Sequence, residues 1–244
     1  MAERPRALVT GAARGLGQAI ALRLATAGLD LMLSDLGDCH DTVALAPFGA
    51  SIEVRQCDLA APAEVDRLAQ QACDAGCTVL VNNAGIFPQI AWNQLEIDSW
   101  NRVIQVNLNA PFLLARRLGE GMVRAGGGRI VNIVSATIEA GRPGSLAYVT
   151  SKMGLVGLTR GLAAALGPHG VTVNAVGPGL MRTPGTEALY GVGANRFEDV
   201  AGRRAMRRLL DPLDVAALVE FLVREEAGMI TGQTIFVDGG EGRS

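Results

Sequence analysis

A chain of 244 residues that is 49% hydrophobic, with 31 glycines and 4% aromatics, can bury a sizeable core, and its Gly/Ala/Val-rich make-up suits close packing of helices on a sheet. A formal net charge of -2, with acids and bases interspersed, excludes the basic footprint of a nucleic-acid binder and points to small, roughly neutral partners. No apolar run approaches the roughly 18 residues of a membrane span, and MAERPRALVTG lacks a signal-peptide profile, so the sequence reads as a cytoplasmic protein, away from membranes, whose mature start is at or near Met1.

Seven short runs read as strands: RALVT (6–10), LDLMLSD (29–35), IEVRQCD (52–58), TVLVNN (78–83), RIVNIVS (129–135), VTVNAVGP (171–178) and TIFVDGG (234–240). Several are apolar at nearly every position, as expected of strands covered on both faces. Ala/Leu-rich segments of helical period separate most of them, the pattern of βαβ units. The expected class is therefore α/β, a doubly wound seven-stranded parallel sheet with helices on both faces. No linker, repeat or composition break divides residues 1–244, so one domain is expected.

Between the first two runs, TGAARGLG (10–17) opens a helix. Glycines at 11, 15 and 17 permit a sharp turn, close approach to a pyrophosphate and tight helix–strand packing, while the free N–H groups of the helix start face an anion. The spacing is GxxxGxG, not the usual GxGxxG, and a plain strand-to-helix turn is the alternative. Asp35 follows 18 residues after Gly17; a carboxylate there accepts hydrogen bonds from a ribose 2'-hydroxyl and repels a 2'-phosphate. NAD is thus preferred over NADP, although Arg14 could pair with a 2'-phosphate. Asp58, ending the third run, reads as a partner of the adenine amino group or as the N-cap of a helix beginning near Pro62.

Further along, Cys39, Cys57, Cys73 and Cys77 form no CxxC pair and read as reduced thiols, the last two at a helix end. His40 and His169 match no metal-ligand spacing and read as surface residues, so no metal is expected. Tyr148 and Lys152 in YVTSK, at i and i+4 of a helix, share one face: a proton-transfer pair or an ordinary surface pair. Residues 183–213 interrupt the alternation and carry the basic cluster Arg203, Arg204, Arg207 and Arg208; they form either a substrate lid or a solvated helix pair bridging two strands.

Taken together, these motifs resemble the short-chain dehydrogenase/reductase family over essentially the whole chain. TGAARGLG matches its cofactor loop, with Gly11, Arg14, Gly15, Leu16 and Gly17. NNAG supplies Asn83, Ala84 and Gly85, and Tyr148 with Lys152 matches its YxxxK. Ser135 lies 13 residues before Tyr148, Asn107 in VNLNAPF matches the family's asparagine, and Pro178, Gly179 and Thr183 in PGLMRT resemble the segment over nicotinamide. The resemblance implies a single-domain Rossmann fold, an NAD cofactor also touching Asp58 and Leu59, and a homotetramer formed through two long helices and the C-terminal region. It also implies a catalytic set in which Tyr148 moves the proton, Lys152 and the nicotinamide charge favour phenolate, Ser135 holds the substrate oxygen, and Asn107 supports a water linking Lys152 to solvent. Taken singly, Ser135, Asn107, Asn82 and Asn83 would read as turn or helix residues.

The implied reaction is hydride transfer between NAD and a secondary alcohol or its ketone. DSWNRVIQVNL and the ITGQT tail look similar to members acting on aryl alcohols such as 1-phenylethanol and on pyridoxal. A sugar-alcohol dehydrogenase is a further alternative. So is an NADPH-dependent 3-oxoacyl carrier-protein reductase, against which stand Asp35 and the His169–Gly170 pair where a basic residue would sit. Enoyl reductases use a wider Tyr-to-Lys spacing, and a non-catalytic NAD-binding scaffold would not need the catalytic set. Candidate substrate contacts are Phe87, Thr137, Ile138 and Glu139. Ile138 and Phe87 would be apolar walls, and Glu139 would attract an amine or polyol, pair with Arg142 or point to solvent.

Overall fold

Seven strands form one parallel sheet in the order β3-β2-β1-β4-β5-β6-β7. In the computed structural model, which describes residues 4–241, they are β1 Arg6–Thr10, β2 Asp30–Asp35, β3 Ile52–Gln56, β4 Cys77–Asn82, β5 Gly128–Ile133, β6 Val171–Pro178 and β7 Thr234–Val237. The expected start at Met1 lies outside the described residues. Every strand pair is parallel and joined through a crossover, as the βαβ pattern requires.

Alternation along the strands divides the core in two. Ala7, Val9, Leu31, Leu33, Val79 and Val81 face α1 (Gly15–Thr26) and α10 (Pro212–Val223). Leu8, Met32, Leu80 and Ile130 face α3 (Pro62–Asp74) and α5 (Ala110–Arg124). Each side chain takes the face its position in the pleat dictates. The remaining helices are α2 (His40–Leu45), α4 (Ile97–Ile104), α6 (Thr137–Ala140), α7 (Leu146–Leu166), α8 (Pro184–Tyr190) and α9 (Arg196–Arg203).

Most strands end earlier than their sequence runs. Asp58, Asn83, Ser135 and residues 238–240 lie beyond the last paired residues, because at the carboxyl edge the chain leaves the ladder to form loops. Cys77 is not part of a helix end; it opens β4 at the foot of β1, where the β1–β4 register shifts. All four cysteines are free. Burial pushes the Cys39 and Cys57 thiols up to about 11 and Cys77 up to about 12, which leaves them protonated and unreactive at neutral pH. His40 and His169 are both exposed. No helix among the described residues is long and apolar enough to cross a membrane.

One irregularity bears on the site. Between α4 and α5 the helix does not break but widens into a π-turn at Gln105–Asn109. Buried residues Val103, Asn107, Pro111, Ala115 and Gly119 recur every fourth position, slower than the about 3.6 of a regular helix, and the wide turn absorbs the excess.

Candidate active site

The carboxyl ends of the strands open into a cavity of about 1600 Å³, at the point where strand order reverses between β1 and β4, the usual ligand crevice of an open α/β sheet. Every residue of the expected cofactor set lines it: Gly11, Arg14, Gly15, Leu16 and Gly17, Asp35, Asp58 and Leu59, Asn83 to Gly85, Tyr148 and Lys152, Pro178, Gly179 and Thr183.

The loop fits a dinucleotide on its own geometry. The N-terminus of α1 has no side-chain cap and no acid in its first turn, so its first N–H groups are left for an anion. A Cβ on Gly17 would lie 1.9 Å from the Gly11 carbonyl oxygen, so only glycine lets the helix start this close to the turn. Asn83 pins the loop from β4, its Nδ2 donating to the carbonyls of Thr10 (2.9 Å) and Gly11 (3.1 Å). Thr10 Oγ1 accepts from the Asn83 and Ala84 N–H groups. Asp35 is fixed by the Ala13 N–H, which donates to Oδ2 at 2.9 Å, and by Gly37 N–H to Oδ1. Asp38 and Asp41 also line the cavity. Asp58 does not N-cap α3, whose N-cap is Ala61; its Oδ1 accepts from the Ala60 N–H in a local turn.

Tyr148, Lys152, Asn107 and Ser135 come together from three elements. Tyr148 and Lys152 lie on one face of α7, with Lys152 Nζ 5.9 Å from the Tyr148 ring centre. Nζ donates to the Ile133 carbonyl at 2.7 Å. Asn107 does not line the cavity; it is fully buried behind it, held by the π-turn. Its Oδ1 accepts from Ile86 N–H (2.9 Å), and its Nδ2 donates to Ile86 O (2.8 Å) and Ser151 Oγ (3.0 Å). Ser151 Oγ in turn donates to the Tyr148 carbonyl. Gly85 keeps this corner open, since a Cβ there would come within 3.3 Å of Asn107 Oδ1 and 3.4 Å of Lys152 Nζ. Ser135 lines the cavity and also closes a turn, accepting from Thr137 N–H and bonding Thr137 Oγ1 at 3.1 Å.

Burial acts against the charged form of both members of the Tyr148–Lys152 pair. Burial pushes the Tyr148 phenol up from its ordinary value, with the Ser135 hydroxyl pulling the other way. The same burial brings the Lys152 ammonium down to about 8. Dry surroundings penalise both charges, so Lys152 alone does not make Tyr148 acidic in this structure.

On the substrate side, Phe87 meets Tyr148 edge-on at 6.0 Å between ring centres, and Thr137 and Glu139 line the cavity. Ile138 does not; it packs inward against Val134, Leu155, Val156 and Ala175. Glu139 is exposed and does not pair with Arg142, whose guanidinium lies 3.7 Å from Glu241. The 183–213 segment holds two helices, α8 and α9, with α8 lining the cavity and α9 bearing Arg203 at its edge. Thr183 N-caps α8 in a reciprocal capping box with Thr186, and Arg182 ties the pair together through Glu187 and Glu198. In the basic cluster Arg204 is buried against Glu241 and the Leu180 carbonyl, and Arg208 pairs with Asp214. Sequence reasoning missed Thr10, Ser151 and Tyr190; only the side-chain pairings across strands and turns reveal them.

A family model described as enoyl-(acyl carrier protein) reductase matches residues 11–241. A short-chain dehydrogenase/reductase of Armillaria gallica is 39% identical, with 96% of this chain and 94% of that protein covered. A 3-oxoacyl-[acyl-carrier-protein] reductase of Synechocystis sp. is 38% identical, with 96% and 95% covered. The crystal structure of an actinorhodin polyketide ketoreductase variant with NADPH superposes with a TM-score of 0.90 at 32% identity, over 100% of both chains. Matched from the glycine loop to the last turn after β7, the chain belongs to the short-chain dehydrogenase/reductase family and is an oxidoreductase acting on CH–OH and keto groups.

Proposed function

We propose that the protein uses NAD(H) to interconvert a secondary alcohol and its ketone. The observation that carries the cofactor choice is Asp35, whose carboxylate is held by Ala13 N–H where a ribose would lie. A 2'-phosphate there would meet the Asp35 carboxylate, with Arg14 exposed at the same loop, and like charges at close range repel strongly.

When bound, the nicotinamide supplies the hydride acceptor or donor. Gly15, Leu16 and Gly17 would hold the pyrophosphate by their N–H groups, Asp35 the adenosine ribose, and Thr183 the carboxamide. Ser135 orients the substrate oxygen by its hydroxyl. Tyr148 takes the alcohol proton in oxidation and returns it in reduction. Lys152, anchored on Ile133 O, sets the potential around the phenol, and Asn107 holds the wall of the proton exit. The cofactor choice is tested by Asp35→Ser combined with Leu36→Arg, which should raise the NADP-to-NAD ratio of kcat/KM by about 100-fold. A parent enzyme that already prefers NADP would sink the assignment.

A second reading, an NADPH-dependent 3-oxoacyl carrier-protein reductase, draws support from the Synechocystis relative and the NADPH-bound ketoreductase; Asp35 speaks against it. The four-residue Tyr148–Lys152 spacing speaks against enoyl reduction. Among secondary alcohols, the aryl-alcohol, pyridoxal and sugar-alcohol classes form the first assay panel, with Phe87 as apolar wall and Glu139 at the cavity rim. We further propose a cytoplasmic homotetramer; the half-exposed Phe112 on α5 and Leu146 and Met153 on α7 support association through these helices, and a sedimentation mass of one 25.4 kDa chain would refute it.

A further inference from the structure

A second cavity of about 380 Å³ adjoins the first, sharing Gln89, Arg142, Tyr190 and Arg203 with it and closed by Pro143 and Arg196. Half of its lining is arginine, drawn from separate parts of the chain: Arg142 between α6 and α7, and Arg196 and Arg203 from the two ends of α9. The local acids neutralise them only in part. Glu241 is shared between Arg142 at 3.7 Å and the buried Arg204 at 3.1 Å. Glu187 and Glu198 are both engaged by Arg182. Arg196 lies over the Tyr190 ring at 4.8 Å, and neither it nor Arg203 has a carboxylate partner among the described residues. Glu139 lines the larger cavity but not this annex.

The annex is tied to the reacting centre. Tyr190 lines both the annex and the larger cavity that holds Tyr148. Phe87, edge-on to Tyr148, touches the base of α8, where a Cβ on Gly185 would lie 3.3 Å from the Phe87 ring. Gln89, two residues after Phe87, lines both cavities. A substrate with its oxygen on Tyr148 can thus run along Phe87 and Gln89 into the arginines. None of the annex residues belongs to the glycine loop, so the pyrophosphate is not its guest.

Three guanidiniums around a small cavity match the geometry of a carboxylate or phosphate. We propose that this annex receives an oxyanion at the end of the substrate remote from the reacting carbon, so that the preferred substrates are hydroxy and keto compounds with a carboxylate or phosphate tail; the inference rests on the alcohol–ketone reading above. Because Arg196 and Arg203 are exposed, each contributes a moderate, salt-sensitive attraction.

The test is a series of keto acids with two to six carbons between ketone and carboxylate, their methyl esters, and the matching keto phosphates, assayed by NADH oxidation and by calorimetric titration of the complex with oxidised NAD, in which a ketone cannot be reduced. We expect at least one anionic member to exceed its ester by about tenfold in kcat/KM and in affinity, with carboxylate and phosphate arms deciding which oxyanion fits. Arg196→Gln with Arg203→Gln should erase that ratio, with the anion losing far more kcat/KM than the ester. An ester equal to every anion, or a preference that survives the double substitution, overturns the proposal. Turnover with NADPH but not NADH defeats the cofactor reading alone, and the anion-to-ester ratio measured with NADPH still decides the annex.

Discussion

Replacing Lys152 by Met should make the protein more stable at neutral pH while disabling it. The ammonium sits 3% exposed, and burial lowers its pKa from 10.5 to about 8. At about 1.4 kcal/mol per pKa unit, the folded state carries a cost of about 3 kcal/mol for the charge below that value. Between pH 8 and 10.5 the unfolded chain binds the proton that the folded chain has released, so wild-type stability rises with pH through this window. Methionine, of similar length, binds no proton. The bond from Nζ to Ile133 O is open to ammonium and amine alike, so its loss offsets part of the gain equally at both ends. All other groups titrate in both proteins. The stability of the variant relative to wild type should therefore fall by about 3 kcal/mol between pH 7 and pH 10.5. Urea unfolding at a series of pH values and one protein concentration measures this directly. Parallel stability curves across the window would refute the reasoning, for they would mean that the ammonium keeps its hydration in the folded state.

Tyr148→Phe keeps the edge-on packing with Phe87 but removes the transferable proton; turnover should fall by at least ~100-fold with NADH affinity retained, and turnover within a few-fold of the parent would assign the proton to another group. Gly17→Ala places a methyl against the Gly11 carbonyl and should weaken NADH binding by at least about tenfold in a fluorescence titration, despite the about 1 kcal/mol that alanine adds to a helix; unchanged affinity would show the turn to be more yielding than its geometry. Asn107→Ala leaves the Ile86 N–H without a buried partner and should cost about 2–4 kcal/mol in urea unfolding, together with a drop in turnover; a loss below 1 kcal/mol would mean that water replaces the amide.

The strands and the cofactor loop were legible because burial on both faces and phosphate approach impose residue types directly. Strand ends were not: Asp58 and Ser135 continue their runs in composition, and only the loss of a ladder partner ends the strand. Ile138 reads as a pocket wall from its neighbours Thr137 and Glu139, yet the first turn of α6 points it into the core. Glu139 and Arg142 are three apart in sequence, but α6 ends at Ala140, so helical spacing fails between them and Glu241 from the chain's far end takes the arginine. Spacing reveals which charges are close, not how dry their surroundings are, and burial opposes the charged forms of both Tyr148 and Lys152. Of the annex arginines only Arg203 belongs to the basic cluster read from the sequence, and burial of Arg204 and pairing of Arg208 set it apart from them; Arg142 and Arg196 lie outside that cluster.

The π-turn at Gln105–Asn109 constrains how this helix can change length. In a regular helix, removing one residue near the middle rotates everything beyond it by about 100°. Here the wide turn already stores one such step, so deleting a residue within 105–109 would yield a well-formed helix with ordinary hydrogen bonds. That gain would swing Leu114, Leu118 and Met122 off the sheet, or else Asn107 away from Ile86 and the Lys152 corner. The segment is therefore a clasp between two reading frames, tolerant of substitution on its outer face and intolerant of insertion or deletion, and loop grafting in this enzyme belongs in the 183–213 segment instead.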